Sequence, residues 1–433
     1  MHKHFLPRTL FITLLALSAC SSDQGSFSDN ATAATGSCDA DERNSLIFDA
    51  MREDYLWYEQ VPLLDYTSYS DPAALLADLR YAEYDRFSYL MDLDDYEASQ
   101  QNRMTAFGFS LMLWDSRYVF SFIQPGSPMD QAGVQRGDEL LQIGDVPMSG
   151  IDDELFAALL DTSDGPKTQQ LRIAARDSAE ERTISVTSAE FDVTTVFNQH
   201  TRETAGTTTG YLGLSRFMSG SADELETAFA QQMQEGVTDL VVDLRYNGGG
   251  LIRVAAQLAG LIGGTAVADE TFAQLVFNDR LSHYNTRYSF TDTDTGLGLQ
   301  RVILLTGPAT CSASEMIING LSPFMDVVTI GDTTCGKPVG MVPETLCDKT
   351  LFAINFAITN GQNEGGYFDG LEASCTVTDL PTGDMWSEDD PLYAAALDYI
   401  TQGQCINTRQ SDKFIATQPL APARPALPDW DLF

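Results

Sequence analysis

The sequence predicts a multidomain chain with an N-terminal helical domain, a β-rich domain carrying two helices, and an α/β core. Three observations carry that prediction. Residues 42–100 set apolar side chains at helical spacing, residues 103–190 break into short β-like runs, and residues 205–400 alternate strands with helices. With 433 residues and 43% apolar content the chain has enough material for more than one core. The net charge of −37, from 62 acidic against 25 basic residues, describes an acidic solvated surface and argues against nucleic acid as a partner.

Residues 1–20 read as a targeting segment. Lys3 and Arg8 precede LFITLLAL, which is far shorter than the ~20 residues of a membrane span. Leu17-Ser18-Ala19-Cys20 resembles the lipobox of bacterial lipoproteins, which implies a lipid on the Cys20 thiol and a membrane partner through it. Ser21 resembles the outer-membrane sorting pattern, so the expected location is the outer membrane, facing the periplasm or the cell surface. Residues 21–41 form a polar tether.

Six cysteines remain, an even set suited to a disulfide-permitting compartment. Their connectivity is not deducible from the sequence; the pairing expected joins Cys311 to Cys335, Cys347 to Cys375 and Cys38 to Cys405. Beyond the leader only His200 and His283 could join them as metal ligands, and no CxxC occurs, so neither metal nor cofactor is expected.

In the helical part (42–100), ERNSLIFDAMREDYLWY has helical periodicity, and DPAALLADLR opens on Asp71 as N-cap with Pro72 at the first helical position. In the β-rich part (101–190), FGFSLMLW, YVFSFI, QQLRIAA and RTISVTS are strands. The core (191–410) runs GYLGLSRF, a helix opened by a Ser221/Glu224 capping box, the buried strand TDLVVDLRYN, a glycine-rich turn, the helix IRVAAQLAGLI and the strand RVILL. TCSASEM, DVVTIGD, LFAINFAITN and the helix DPLYAAALDYI follow. Residues 411–433 carry proline at every third position from Pro419 to Pro428 and form an extended tail.

The chemistry is narrowed by what is missing. Neither histidine sits beside a nucleophile motif, and GxSxG and SxxK are absent. An activated serine therefore needs another proton acceptor. Lysine is scarce beyond the leader, and Lys337, in DTTCGKPVG at a strand end, has the setting for a base. Ser312 and Glu315 also fit a capping box for the helix SEMIINGL, a role compatible with catalysis because it places backbone N–H groups behind the serine.

Two resemblances follow. PGSPMDQAGVQRGDELLQIGDVPM with IDDELFAALLD resembles a PDZ domain, which implies that the loop Phe107, Gly108 and Phe109 takes a peptide's terminal carboxylate while the peptide adds a strand. Residues 42–400 as a whole resemble the C-terminal processing, or tail-specific, serine peptidases, in the branch that reads GKPVG. That resemblance implies Ser312 as nucleophile and Lys337, 25 residues on, as base, with an oxyanion hole from Ala313 and from Gly248 or Gly249 of DLRYNGGG. Many relatives carry glutamine four residues after the lysine; here Met341 stands there, leaving Glu315 and Asn319 as candidates to orient the amine. The implied function is a membrane-anchored periplasmic endopeptidase that cuts proteins near free C-termini, with a lipoprotein adaptor as a further partner. The alternative is a catalytically weak or silent scaffold lipoprotein that holds periplasmic partners. A Cys311–Cys335 disulfide would clamp both catalytic turns, so reduction is expected to lower activity.

Overall fold

The computed structural model describes residues 38–162 and 165–405. Cys20, nearly all of the tether and the proline-rich tail lie outside the described residues.

Helix α1 (Ala40–Glu53) is capped by Asp39, whose side chain accepts from Glu42 N, and α2 (Pro72–Leu79) starts as expected, with Asp71 accepting from Ala73 N. Between α2 and α3 (Leu93–Gln100) the chain departs from the all-helical expectation. Tyr89–Asp92 is a strand, paired antiparallel with Lys349–Phe352, and the Tyr89 ring stacks on Phe352 with centroids 4.6 Å apart. Nor does this part keep a core to itself. Ile47, Met51, Tyr55, Leu75, Leu79 and Phe87 pack in one cluster with Val339, Leu346, Leu351 and Ile354 of the C-terminal core.

The middle domain is closed off by the pairing of Arg103–Ala106 with Ala189–Asp192. Within it, Phe109–Trp114, Arg117–Ile123, Glu139–Ile143, Thr168–Ala174 and Glu181–Thr187 form an antiparallel sheet in that order, with Phe109–Trp114 at one edge. Helices α4 (Pro128–Gln131) and α5 (Asp153–Leu160) complete it, capped by Ser127 and Asp152.

The core is built on a six-stranded sheet in the order Val196–Thr204, Thr207–Leu214, Asp239–Asp243, Arg301–Thr306, Asp326–Gly331 and Cys375–Thr376. All neighbours after the first hairpin are parallel, and both faces are covered, which is why these strands read as continuous apolar runs. Helices α6 (Ser221–Gln234), α7 (Ile252–Gly263) and α8 (Ala313–Leu321) pack on one face and α9 (Pro391–Gln402) on the other. A second sheet, Thr286–Ser289, Thr271–Phe277, Ile354–Thr359 and Val339–Met341, stands beside it. The capping box expected for α6 does not form. Glu224 reaches instead to Thr195 N and Val196 N, both at 2.8 Å, because the neighbouring strand brings unpaired donors closer than the helix's own end.

Of the expected disulfides, Cys311–Cys335 forms; the other two are replaced by Cys38–Cys347 and Cys375–Cys405. Cys347 lies in the turn between Glu344–Leu346 and Lys349–Phe352, over the start of α1, where Arg43 Nε also donates to Asp348 at 3.0 Å. Cys38 is therefore its neighbour. Cys375 lies on the α9 side of the sheet and meets Cys405 just past that helix, with Cα atoms 5.5 Å apart.

Candidate active site

Three adjacent parallel strands end on the same edge of the large sheet, and each sends out one turn. Asp239–Asp243 leads into 244–250, Arg301–Thr306 into 307–312, and Asp326–Gly331 into 332–337. The carboxyl edge of such a sheet is where open α/β folds bind ligands.

Ser312 caps α8 with φ +55° and ψ −114°, a conformation that side chains rarely adopt and that persists only where surrounding contacts enforce it. Those contacts are present on both sides. Asn247, fully buried, accepts at its carbonyl from Cys311 N at 3.1 Å and from Ser314 Oγ at 2.9 Å, while its Nδ2 donates to Leu214 O. Gly249, at φ +107°, passes so close that a Cβ there would lie 2.8 Å from Ser312 Cβ and 3.0 Å from Ala313 N. Only glycine allows that approach. Gly249 N–H is already committed to Asn247 Oδ1 at 2.8 Å. Among the described residues, Gly248 N–H and Ala313 N–H have no protein acceptor.

Glu315, fully buried, joins this turn to the next. Its Oε2 accepts from Ser312 N at 2.9 Å and from Lys337 N at 2.8 Å; its Oε1 accepts from Gly336 N at 2.8 Å and Thr334 Oγ1 at 2.6 Å. Burial pushes this carboxyl above its ordinary range, against the pull of those four donors. The disulfide Cys311–Cys335, with Cα atoms 5.2 Å apart, is a second link between the same two turns, and Cys335 N donates to Thr310 O at 3.0 Å. Cys311, Glu315 and Cys335 are close enough to suggest a metal centre, yet their two sulfurs are bonded to each other and offer no thiolate.

The Lys337 amine lies 3.8 Å from Met341 Sδ and 5.1 Å from the centroid of the Phe87 ring. The two candidates for orienting it make other contacts as well. Glu315 spends its oxygens on Thr334 and on backbone donors, and Asn319 is turned to the 360–364 loop, donating to Glu364 O at 2.9 Å and accepting from Asn360 Nδ2. The histidines are elsewhere: His200 lies between Asn198 O and the Tyr393 hydroxyl, and His283 stacks on Tyr284.

The chain that carries these turns resembles known proteins. Residues 208–370 match the model of peptidase family S41, and residues 42–89 match that of the peptidase S41 N-terminal domain. Both segments thus resemble the S41 peptidases. The chain is 28% identical over 293 residues to a carboxyl-terminal-processing protease of a Picosynechococcus species, a match covering 65% of this chain and 66% of that one. It thus spans just under two thirds of that relative's length. A crystal structure of an S41 protease from Bacteroides fragilis superposes with a TM-score of 0.67 at 26% identity, covering 83% of this chain and 97% of that one. The photosystem II D1 C-terminal processing protease shares the fold, with a TM-score of 0.51 at 17% identity over 80% of this chain and 96% of that one.

In the middle domain, Phe107 is buried in that domain's core and Phe109 packs against it. Gly108, at φ +83°, leaves no room for a side chain against Ser127, and its carbonyl accepts from Gln124 N and Ser127 Oγ. The sequence reading missed the Thr334 hydroxyl and the Phe87 ring at the site. Phe87 lies 250 residues from Lys337 in the chain, and no local pattern connects them.

Proposed function

We propose that this protein is a serine endopeptidase that cuts proteins near their carboxyl termini, with Ser312 as nucleophile and Lys337 as base. The observation that carries this reading is the Glu315 carboxylate, which holds the backbone N–H of both residues on one oxygen. Neutral Lys337 takes the proton of Ser312 Oγ as that oxygen attacks a peptide carbonyl. Gly248 N–H and Ala313 N–H receive the oxyanion, and the lysine then protonates the leaving amine. Water, deprotonated by the same amine, releases the acyl group. Gly249 shapes the oxyanion hole by its lack of a side chain rather than by its N–H.

The middle domain is read as a PDZ domain that gates or recruits substrate. The strand Phe109–Trp114, at the sheet edge beside the Phe107-Gly108-Phe109 loop, is where a peptide with a free C-terminus would add. Cys20 is read as the lipid-bearing residue that tethers the enzyme to the outer membrane.

Incubation of the full chain with casein, and with a peptide tagged behind its C-terminus, tests the reading. Cleavage is expected to vanish in Ser312→Ala and to fall by about 10²–10⁴ in Lys337→Ala. Met341 favours the scaffold alternative. A parent protein that binds the peptide but leaves it and casein intact would establish that alternative instead.

A further inference from the structure

The amine of Lys337 meets a thioether and an aromatic face where the family resemblance implies a glutamine side chain. We propose that Phe87 and Met341 are positioning residues for Lys337: together they hold its amine for proton transfer, the task a carboxamide would otherwise perform. The proposal rests on the Ser312/Lys337 reading above.

The geometry supports it from both sides. Nζ lies within the roughly 6 Å over which an aromatic face attracts an amine that is gaining charge, and Met341 Sδ is a weak acceptor in reach at 3.8 Å. The ring itself is held firmly. Asp85, buried, accepts from Phe87 N at 2.9 Å, from Ser88 N at 2.8 Å and from the Tyr55 hydroxyl at 2.6 Å, which fixes the turn bearing Phe87. Arg86 stacks on the same ring, 4.4 Å from its centroid, and donates to Cys335 O within the lysine's own turn. Phe87 therefore moves with the lysine turn rather than independently of it. In the step served, Ser312 Oγ passes its proton to Nζ while the Oγ–carbon bond forms and the carbonyl π pair moves onto oxygen. The ammonium so formed faces the ring and the sulfur.

A fluorophosphonate probe tests this in the full chain without knowledge of the substrate. Ser312 Oγ bonds to phosphorus, fluoride leaves, and the serine proton passes to Lys337. The maximal labelling rate and the half-saturating probe concentration are read separately. Phe87→Leu is expected to lower the maximal rate about tenfold and Met341→Leu about threefold, with half-saturation unchanged, while Phe87→Tyr, which keeps the ring, stays within about twofold of the parent. If Phe87→Leu does not fold, Met341→Leu decides. Parent-like maximal rates in Met341→Leu and in folded Phe87→Leu overturn the proposal, as does a loss in Phe87→Tyr equal to that in Phe87→Leu. Lys337→Ala separates the two levels. Parent-like labelling there removes the Ser/Lys reading itself, whereas its loss beside parent-like Phe87→Leu and Met341→Leu removes only the positioning.

Discussion

At the scale of single residues, Glu315 has the largest consequence for the smallest change. It is buried and receives four donors, two on each oxygen, so the isosteric amide cannot replace it. Glutamine would present its NH₂ to one donor pair and leave those donors unsatisfied, at about 1–3 kcal/mol for each group. Glu315→Gln is therefore expected to lower both the melting temperature and the maximal rate of Ser312 labelling, by about tenfold or more in the latter. A variant with parent-like melting and labelling would show that the carboxylate does not hold the two turns. Ser312 belongs to the same account: its positive φ is maintained by neighbours on both flanks, with Gly249 packed against one of them.

At the scale of elements, the site is three turns at the ends of three parallel strands, fastened pairwise. Asn247 fastens the glycine turn to the serine turn, and Glu315 with Cys311–Cys335 fastens the serine turn to the lysine turn. The disulfide closes a loop over a separation of 24 residues, for which chain-entropy arguments give about 3 kcal/mol. Cys311→Ser/Cys335→Ser is expected to lower thermal stability by about that amount and to slow turnover, since one of the two links is lost while Glu315 remains. Calorimetry and casein cleavage check both halves. Turnover equal to the parent in the double variant would assign the clamp to Glu315 alone.

At the scale of the molecule, the three sequence-defined parts are bound together through buried groups. The helical part shares a core with the lysine turn. The middle domain sends Arg136 into a polar cluster with Asp379 and the Tyr246 hydroxyl, where Arg245 also pairs with Asp243, Asp379 and Asp390. Tyr246 immediately precedes Asn247, so this junction abuts the glycine turn. Burial pushes the Asp379 carboxyl up, but Arg245 and Arg136 more than offset it and hold it below its ordinary range. A carboxyl depressed in the folded state adds stability above its unfolded pKa of about 4, and that stability is lost as the pH falls through the lower folded value. Arg136→Met removes one side of this pairing, at up to about 3–5 kcal/mol. The expected result is a middle-domain transition at lower temperature in calorimetry, with the difference from the parent shrinking in acid. A single unshifted transition would mean that Arg136 does not fasten the domains.

The sequence by itself determined most of the order of the elements and the glycine turn, because these are written in local periodicity and short turn motifs, whereas Ser312 and Lys337 as a pair are implied by the family resemblance and not by any local pattern. It also marked Glu315 as the partner of Ser312 N–H, because a capping box spans only three residues. Tertiary structure decided what lies between segments far apart in the chain: the second use of Glu315 on the lysine turn, two of the three disulfides, the strand Tyr89–Asp92 and its shared core, and Phe87 beside Lys337. The physical reason is that a side chain's partner across 20 to 300 residues is set by how sheets and helices stack, and stacking leaves no periodic mark near either residue.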